Sequence, residues 1–497
     1  MSYDFKGLFV FEMANNHQGS VAHGLRIVEE MAKLTRQFGI RAAIKLQYRD
    51  LDTFVHPAYT NRQDLKLVQR FLGTRMPWEH FAELVAAIRE QGMQVVVTPF
   101  DEASVEQTLN HGADVLKVAS CSVLDWPLLE EVARARKPVI CSTGGLSLQD
   151  LDKVVSFFEH RGVEDLALLH CVSIYPVESK DLNLNFMRRM LRRYPLYAVG
   201  YSGHEGPDNL DVAKAAVAIG AQILERHVGV PTEKIKLNAY SMDAEQTGRW
   251  ITAVLETRRM LGPTDGSKAI PKAESDALGV LYRGTYARRA VKAGETLDRG
   301  KVFFAMPCEP GQTSASEYQE TMTASRDYAA LEGLRERRAW NPVHDVRNMV
   351  HDVKGLLREA QIAIGREYSI ELSYHYGMQN FRRVGATIVN LINREYCKKL
   401  IVMLPGQSYP RHCHKLKEET FQILYGELEL ELEGRKTTLR PGDGQLVKRM
   451  QYHSFFTRTG CVFEEISTTY VVGDSYYEDE KIPRMDPIQR KTVLDAW

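Results

Sequence analysis

Eight short, apolar, β-rich runs punctuate the first 230 residues of this chain: LFVFEM, AAIKLQ, VVVTPF, VLKVAS, VICSTG, LALLHC, YAVGYS and QILERH. The segments between them carry helical periodicity. SVAHGLRIVEEMAKLTRQFG repeats apolar residues at i, i+3, i+4 and i+7 and stops at a glycine, and PLLEEVARARKP and NLDVAKAAVAIGA follow the same pattern. Strands alternating with helices imply right-handed βαβ units and a parallel sheet. Eight such units close a (β/α)8 TIM barrel, and an open doubly wound sheet is the alternative.

Polar residues favour the barrel, whose catalytic groups sit at the C-terminal ends of its strands. Glu12, Lys45 and Gln47, Thr98, Lys117 and Ser120, Ser142, then His170, Ser173 and Tyr175, Ser202 and His204, and His227 all fall there. Lys45 and Lys117 lie on strands that read as buried, where an ammonium needs an anion or a carboxylate partner. The hydroxyls of Thr98, Ser120, Ser142 and Ser202 add neutral donors, a set that suits a small phosphorylated carboxylate. His204 and His227 follow strands that are neighbours in a closed barrel. Their imidazoles can share one divalent ion with positions left open for substrate, the pattern of a catalytic metal.

The bulk composition narrows the class. At 497 residues the chain expects two or three domains. Sixty-four basic residues balance 64 acidic ones, which argues against nucleic-acid and polybasic membrane partners. No apolar run approaches the roughly 20 residues of a membrane span. MSYDFKGLFVFEM does not read as a signal peptide, and seven scattered cysteines suit free thiols in a cytoplasmic protein.

In order, FEMANNHQGS, IKLQY, VTPFD, LKVASCSVLDWPLL, KPVICSTGG, LLHCVSIYP, VGYSGHEG and ERHVGV resemble the motifs of the N-acetylneuraminate (sialic acid) synthases over about residues 6–260. The resemblance implies a phosphoenolpyruvate-dependent transferase on a TIM barrel (residues 1–265). In its reaction, C3 of phosphoenolpyruvate attacks the aldehyde of an open-chain hexosamine such as N-acetylmannosamine. Carried over by position, Lys45, Thr98, Lys117, Ser120, Ser142 and Ser202 hold phosphoenolpyruvate, and His204 and His227 bind manganese or magnesium. Glu12 is the acid/base group, and Gln47, Ser173 and Tyr175 line the acceptor side. Two departures fall on that side: Ser173 replaces the family's usual asparagine, and Leu237 and Asn238 replace an Asp-His pair. A related 3-deoxy-ulosonate synthase using a different or phosphorylated aldose is the alternative, and a sugar-binding protein on an inactive barrel is another. The long segment from Tyr48 to Trp78 is expected over the mouth, with Arg49 and Asp50 as acceptor contacts.

From about residue 280, YRGTYARRAVKAGETLDRGKVFFAMPCEPGQTS resembles a shortened small antifreeze-like (SAF) domain (280–340). Its stretch RRAVKAGETL fits a strand, a turn at Gly294 and a second strand. The family arginine expected before the Pro-Gly turn is missing from AMPCEPG, and the resemblance implies a homodimer. A linker and amphipathic helix (341–365) follow, with Pro342 at the boundary.

The last segment (366–497) changes to alternating strands with glycine turns and no helices between them, an all-β signature. Gly406, five residues, His412-Cys-His414, four residues, Glu419, six residues and Gly426 match a first cupin motif, and LRPGDGQLVKRMQYHSF supplies a second with His453. Residues two apart on a strand share a face, so His412 and His414 reach one ion. Glu419 and His453 complete a set suited to manganese, iron, zinc or nickel. Lys417, Glu464 and Glu465 resemble residues of cupin sugar isomerases such as D-lyxose isomerase, which implies a cupin that isomerises or senses the sugar. A purely structural domain with a bound ion is the alternative.

Overall fold

The computed structural model describes residues 3–264, 266–337 and 342–495. The chain divides into two compact units, Met1–Ala269 and Ile270–Trp497. The expected limits at residues 1, 265, 340, 341 and 497 fall outside the described residues.

In the first unit, all eight apolar runs are strands: β1 Phe9–Glu12, β2 Ala42–Tyr48, β3 Gln94–Pro99, β4 Val115–Val118, β5 Val139–Ser142, β6 Leu166–Cys171, β7 Ala198–Gly203 and β8 Leu224–His227. They pair in parallel in chain order and close, with β1 bonded to both β2 and β8. Ser20 caps the helix Val21–Phe38 by accepting the His23 N–H, and Gly39 ends it at φ 59°.

Alternation along each strand sorts the side chains into two cores. Phe9, Phe11, Ile44, Leu46, Val95 and Val97 face outward and pack under helix residues such as Ile27, Met31, Leu84, Ile88 and Trp250. Val10, Ala43, Val96, Val115, Ile140, Ala167, Leu169 and Ile223 face inward and plug the barrel floor. Gly200 belongs to that crowded layer, where an added Cβ would lie 2.3 Å from the Ile223 carbonyl oxygen. Two residues further along the same strands the inward positions turn polar: Glu12, Lys45, Thr98, Lys117, Ser142, Ser202 and Glu225 are all buried. The barrel thus has a greasy floor and a charged storey above it, facing the C-terminal mouth.

In the second unit, Gly284–Ala287 pairs antiparallel with Val302–Ala305 over a small core of Val291, Leu297, Met322, Tyr328 and neighbours. Gly294 does turn, at φ 86°. The strands expected around it are absent among the described residues: within RRAVKAGETL only single bridges form, Val291 with Tyr328 and Thr296 with Thr323. That stretch buries only Val291 and Leu297, too little apolar face for a continuous ladder.

The helix Pro342–Glu359 packs Met349, Val353, Leu356 and Leu357 against strand residues Ile370, Leu372, Leu400 and Val402. Among the described residues, one antiparallel sheet runs edge to edge through Gly444–Val447, Glu419–Gly426, Cys461–Thr468, Tyr396–Met403, Ala386–Asn393, Ser369–Ser373 and Lys491–Leu494. A second runs through Arg435–Leu439, Leu428–Leu432, His453–Phe456, Ser408–Cys413 and Tyr476–Tyr477. Their facing sides enclose Phe421, Leu428, Leu430, Phe455 and Phe463, as in a jelly-roll sandwich. No helix among the described residues is long and apolar enough to cross a membrane.

Candidate active site in the barrel and metal centre in the cupin

The barrel mouth opens into a cavity of about 620 Å³. Glu12, Lys45, Gln47, Arg49, Thr98, Lys117, Ser120, Ser142, Ser173, Tyr175, Ser202, His204 and His227, all expected at the site, line it. His170 is instead buried away from it, with its Nε2 donating to the Leu182 carbonyl oxygen at 2.7 Å. Leu67, Arg70 and Phe71 reach it from the segment after β2.

A four-charge cluster forms the cavity floor. Lys45 Nζ lies 2.5 Å from Glu12 Oε2 and 2.7 Å from Glu225 Oε1. Lys117 Nζ donates to both oxygens of Glu225, and the Ser202 hydroxyl adds a third donor at 2.8 Å. Glu12 Oε1 accepts the Ala14 N–H at 2.7 Å. Burial disfavours every charge here, and the lysines respond differently because they share one carboxylate. Burial alone would pull Lys45 down, but Glu12 and Glu225 together hold its ammonium above the ordinary range. Lys117 has Glu225 alone and Lys45 as a neighbour, so burial wins and its pKa falls. Burial would raise Glu225, and the two ammoniums outweigh it and hold the carboxyl below its usual range.

Three loops converge beside this cluster. Ser120 Oγ accepts the Gly144 N–H at 3.2 Å, and a Cβ on Gly144 would meet Ser173 Oγ at 2.3 Å and Ser120 Oγ at 2.6 Å. Gly144 therefore lets the loops after β4, β5 and β6 close around one point.

His204 and His227 sit side by side with ring centroids 5.3 Å apart. His204 Nδ1 donates to the Val172 carbonyl oxygen at 2.9 Å, which frees Nε2 as a lone-pair donor. Burial pulls its pKa to about 4 and that of His227 well below the ordinary value, so both imidazoles are neutral at pH 7. His227 Nδ1 and Thr98 Oγ1 are buried without a hydrogen-bond partner. Two neutral imidazoles beside unsatisfied groups fit a divalent ion with open positions. The Tyr175 ring lies tilted against His204 with centroids 4.2 Å apart, and Tyr240 packs against Tyr175 and His227 at 5.1 and 5.0 Å.

Glu225 and Tyr240 escaped the sequence reading. Glu225 was legible, because in LERH it stands two residues before His227 and so shares its inward face. Leu237 and Asn238 occupy structural positions: Leu237 packs over Gly229, and Asn238 Oδ1 accepts the Tyr240 N–H at 3.1 Å. Asp50 is turned into a helix cap, its Oδ1 accepting the Asp52 N–H.

In the cupin, His412, His414 and His453 are the one group of three such donors, among the described residues, whose ligand atoms all lie within 4.8 Å of one another. Each Nδ1 donates to a backbone carbonyl: Pro410 at 2.9 Å, Asp474 at 2.7 Å and Gln451 at 3.1 Å. That fixes all three tautomers and leaves each Nε2 as a lone pair. Glu419 Oε1 lies 3.0 Å from His453 Nε2 and 3.7 Å from His414 Nε2. Yet His453 Nε2 and Glu419 Oε1 make no aligned hydrogen bond although buried. Donors pointing at a common centre rather than at each other fit a metal. The three histidines and Glu419, expected as ligands, are all brought together.

Around them is a cavity of about 520 Å³. Lys417 Nζ bridges Glu419 Oε2 at 2.5 Å and Glu465 Oε1 at 2.6 Å, and Lys399 approaches Glu465 at 3.5 Å. Glu464 does not join them. Strand alternation sends it to the other face, where it pairs with Lys398 at 2.7 Å.

Comparison with known families matches residues 34–265 to the NeuB family and residues 399–466 to the cupin domain. A crystal structure of a spore coat polysaccharide biosynthesis protein E from Chromobacterium violaceum is 42% identical, with a TM-score of 0.64, across 66% of this chain and 98% of that one. The N,N'-diacetyllegionaminic acid synthase of Campylobacter jejuni is 24% identical, over 67% of this chain and 99% of its own length. The N-acetylneuraminate-9-phosphate synthase of Drosophila melanogaster is 27% identical, over 54% of this chain and 72% of its own. With its closed barrel and these relatives, the chain belongs to the NeuB family, similar to the sialic and legionaminic acid synthases and carrying a cupin domain after the barrel.

Proposed function

We propose that this enzyme condenses phosphoenolpyruvate with an open-chain aldose, of the hexosamine type, to give a nonulosonic acid and phosphate. The observation that carries the reading is the polar layer above the barrel floor, where two buried ammoniums, four hydroxyls and two neutral imidazoles line one cavity. Lys45, Lys117, Thr98, Ser120, Ser142 and Ser202 hold the phosphate and carboxylate of phosphoenolpyruvate. C3 then attacks the aldehyde carbon, water adds at C2, and phosphate leaves with its bridging oxygen. Glu12, held between the Ala14 N–H and Lys45, moves the proton at the aldehyde oxygen and the attacking water. Gln47, Ser173 and Tyr175 orient the acceptor. A manganese or magnesium ion bound by His204 and His227 supplies Lewis-acid polarisation of the aldehyde.

In this reading residues 1–265 are the synthase, 280–340 a shortened SAF-like domain, 341–365 a linker and helix, and 366–497 the cupin. The protein works as a cytoplasmic homodimer, supported by the family resemblance and by seven cysteines that are all free thiols. A second activity is favoured by the cupin's Lys417–Glu465 pair beside the metal-ligand set. In that activity Glu465 moves a proton between C1 and C2 of the sugar that the barrel consumes.

The test is phosphate release from phosphoenolpyruvate with manganese across a panel of aldoses and hexosamines. Release that depends on one sugar and is lost in His204→Ala supports the synthase. Binding of phosphoenolpyruvate and sugar without any release would favour a binding protein.

A further inference from the structure

Among the described residues, two cations of the barrel cavity, Arg49 and Arg70, have no carboxylate partner, and Arg49 is the one held inside it. Glu12 and Glu225 are the cavity's carboxylates, and both are consumed by Lys45 and Lys117. Arg49 also lines the cavity, and among the described residues it makes no ion pair. Its guanidinium carbon lies over the Phe100 ring, 3.6 Å from the centroid, and over the Phe71 ring at 4.1 Å. A guanidinium held against aromatic rings by cation–π contact keeps its edge N–H donors for a ligand. Of those donors, Nη2 goes to Gln47 Oε1 at 3.0 Å, while Nε is buried without a partner. Burial lowers the Arg49 pKa to about 10, so it remains charged at pH 7.

Neighbouring acids do not complete the pair. Asp101 caps the helix Glu102–Asn110 with Oδ1 and accepts the Asp50 N–H with Oδ2. Asp50 accepts the Asp52 N–H with Oδ1 and the Thr53 hydroxyl with Oδ2. Arg70, exposed on the helix Lys66–Gly73, adds a second cation to the same wall and makes no ion pair among the described residues.

Position says which part of a ligand meets Arg49. Lys45, Gln47 and Arg49 are alternate residues of β2 and its end, so they climb one face from floor to rim over about 13 Å. The floor cations belong to the enolpyruvate half of the site. Arg49 stands a substrate's length away, where the far end of an extended acceptor reaches.

We propose that Arg49, supported by Arg70, is an anion subsite that selects acceptors carrying a phosphate ester or carboxylate at the end remote from the aldehyde. The inference rests on the synthase reading for the word acceptor, but the subsite itself can be read by binding alone.

The experiment is calorimetry on the full chain, saturated with phosphoenolpyruvate and manganese, titrated with mannose 6-phosphate, mannuronate or mannose. A charge-assisted contact of this kind predicts an anionic sugar binding about 10- to 100-fold tighter than mannose. Arg49→Gln should collapse that ratio toward one, and Arg49→Lys should restore part of it. A preference for mannose 6-phosphate identifies a phosphate ester, and one for mannuronate a carboxylate. The proposal is overturned if neither anion outbinds mannose, or if the ratio survives in Arg49→Gln. A variant that folds but loses phosphoenolpyruvate affinity instead also overturns it, by assigning Arg49 to the other substrate. Failure of the synthase reading shows separately, as anion-selective binding with no phosphate release.

Discussion

Lys117 donates to both carboxylate oxygens of Glu225, at 2.9 Å each, deep in the barrel. The same carboxylate serves Lys45, so Glu225 is the hub on which the two floor ammoniums are mounted. Glu225→Gln leaves Lys117 buried without a counter-charge, and loss of one partner from a buried pair costs about 3–5 kcal/mol. Urea denaturation should show that loss, together with at least a tenfold fall in phosphate release. The double variant Lys117→Met with Glu225→Met should regain stability and stay inactive. Regained activity would reduce the pair to scaffolding.

Gly144 is the packing point for Ser120 and Ser173. Gly144→Ala should raise the KM for phosphoenolpyruvate by about tenfold, since overpacking shifts neighbours at a cost of roughly 1–3 kcal/mol. Steady-state kinetics checks this, and an unchanged KM would mean the loops yield freely.

Metal content separates the two centres. Manganese-loaded protein should carry two ions per chain by elemental analysis. His412→Ala with His453→Ala should remove one and leave phosphate release in place. His204→Ala should remove the other and abolish release.

Acid should weaken the barrel through His17. Its Nδ1 accepts the Gly19 N–H at 3.0 Å, and burial, with His23 and Arg49 nearby, lowers its pKa from 6.5 to about 4. The unfolded chain takes up this proton near pH 6.5 and the folded chain only near 4. The stabilisation is therefore complete above pH 6.5 and lost as pH falls toward 4, a span on the order of 3 kcal/mol. His17→Asn keeps an acceptor for Gly19 and cannot titrate in this range. Its melting temperature should fall less between pH 6.5 and 4.5 than that of the unaltered protein.

The barrel was legible because strand alternation and helical periodicity are local properties. LFVFEM and AAIKLQ announce their own strands, and closure follows from counting eight. The site was legible wherever a polar residue ended such a strand. Glu225 was passed over because an acid in QILERH looks solvated, although its spacing of two from His227 already puts both on the inward face. Tyr240 was hidden because its position depends on a loop, where Asn238 and Leu237 set the backbone and the aromatic ring follows. Glu464 and Glu465 could not be separated until the strand Cys461–Thr468 had a direction, after which one faces the cavity and its neighbour cannot. Around Gly294 the turn was a property of one residue, whereas the strands needed partners that the flanking stretch lacks.

The three cupin histidines are already aimed by main-chain carbonyls before any ion arrives. Chelation then removes an ion from a rigid socket and does not unravel the chain around it, unlike a zinc finger, whose fold is borrowed from its metal. Stripped and reloaded protein should therefore interconvert without a refolding step. The cell's supply of ions, more than the history of the polypeptide, would decide which metal the cupin carries at any moment.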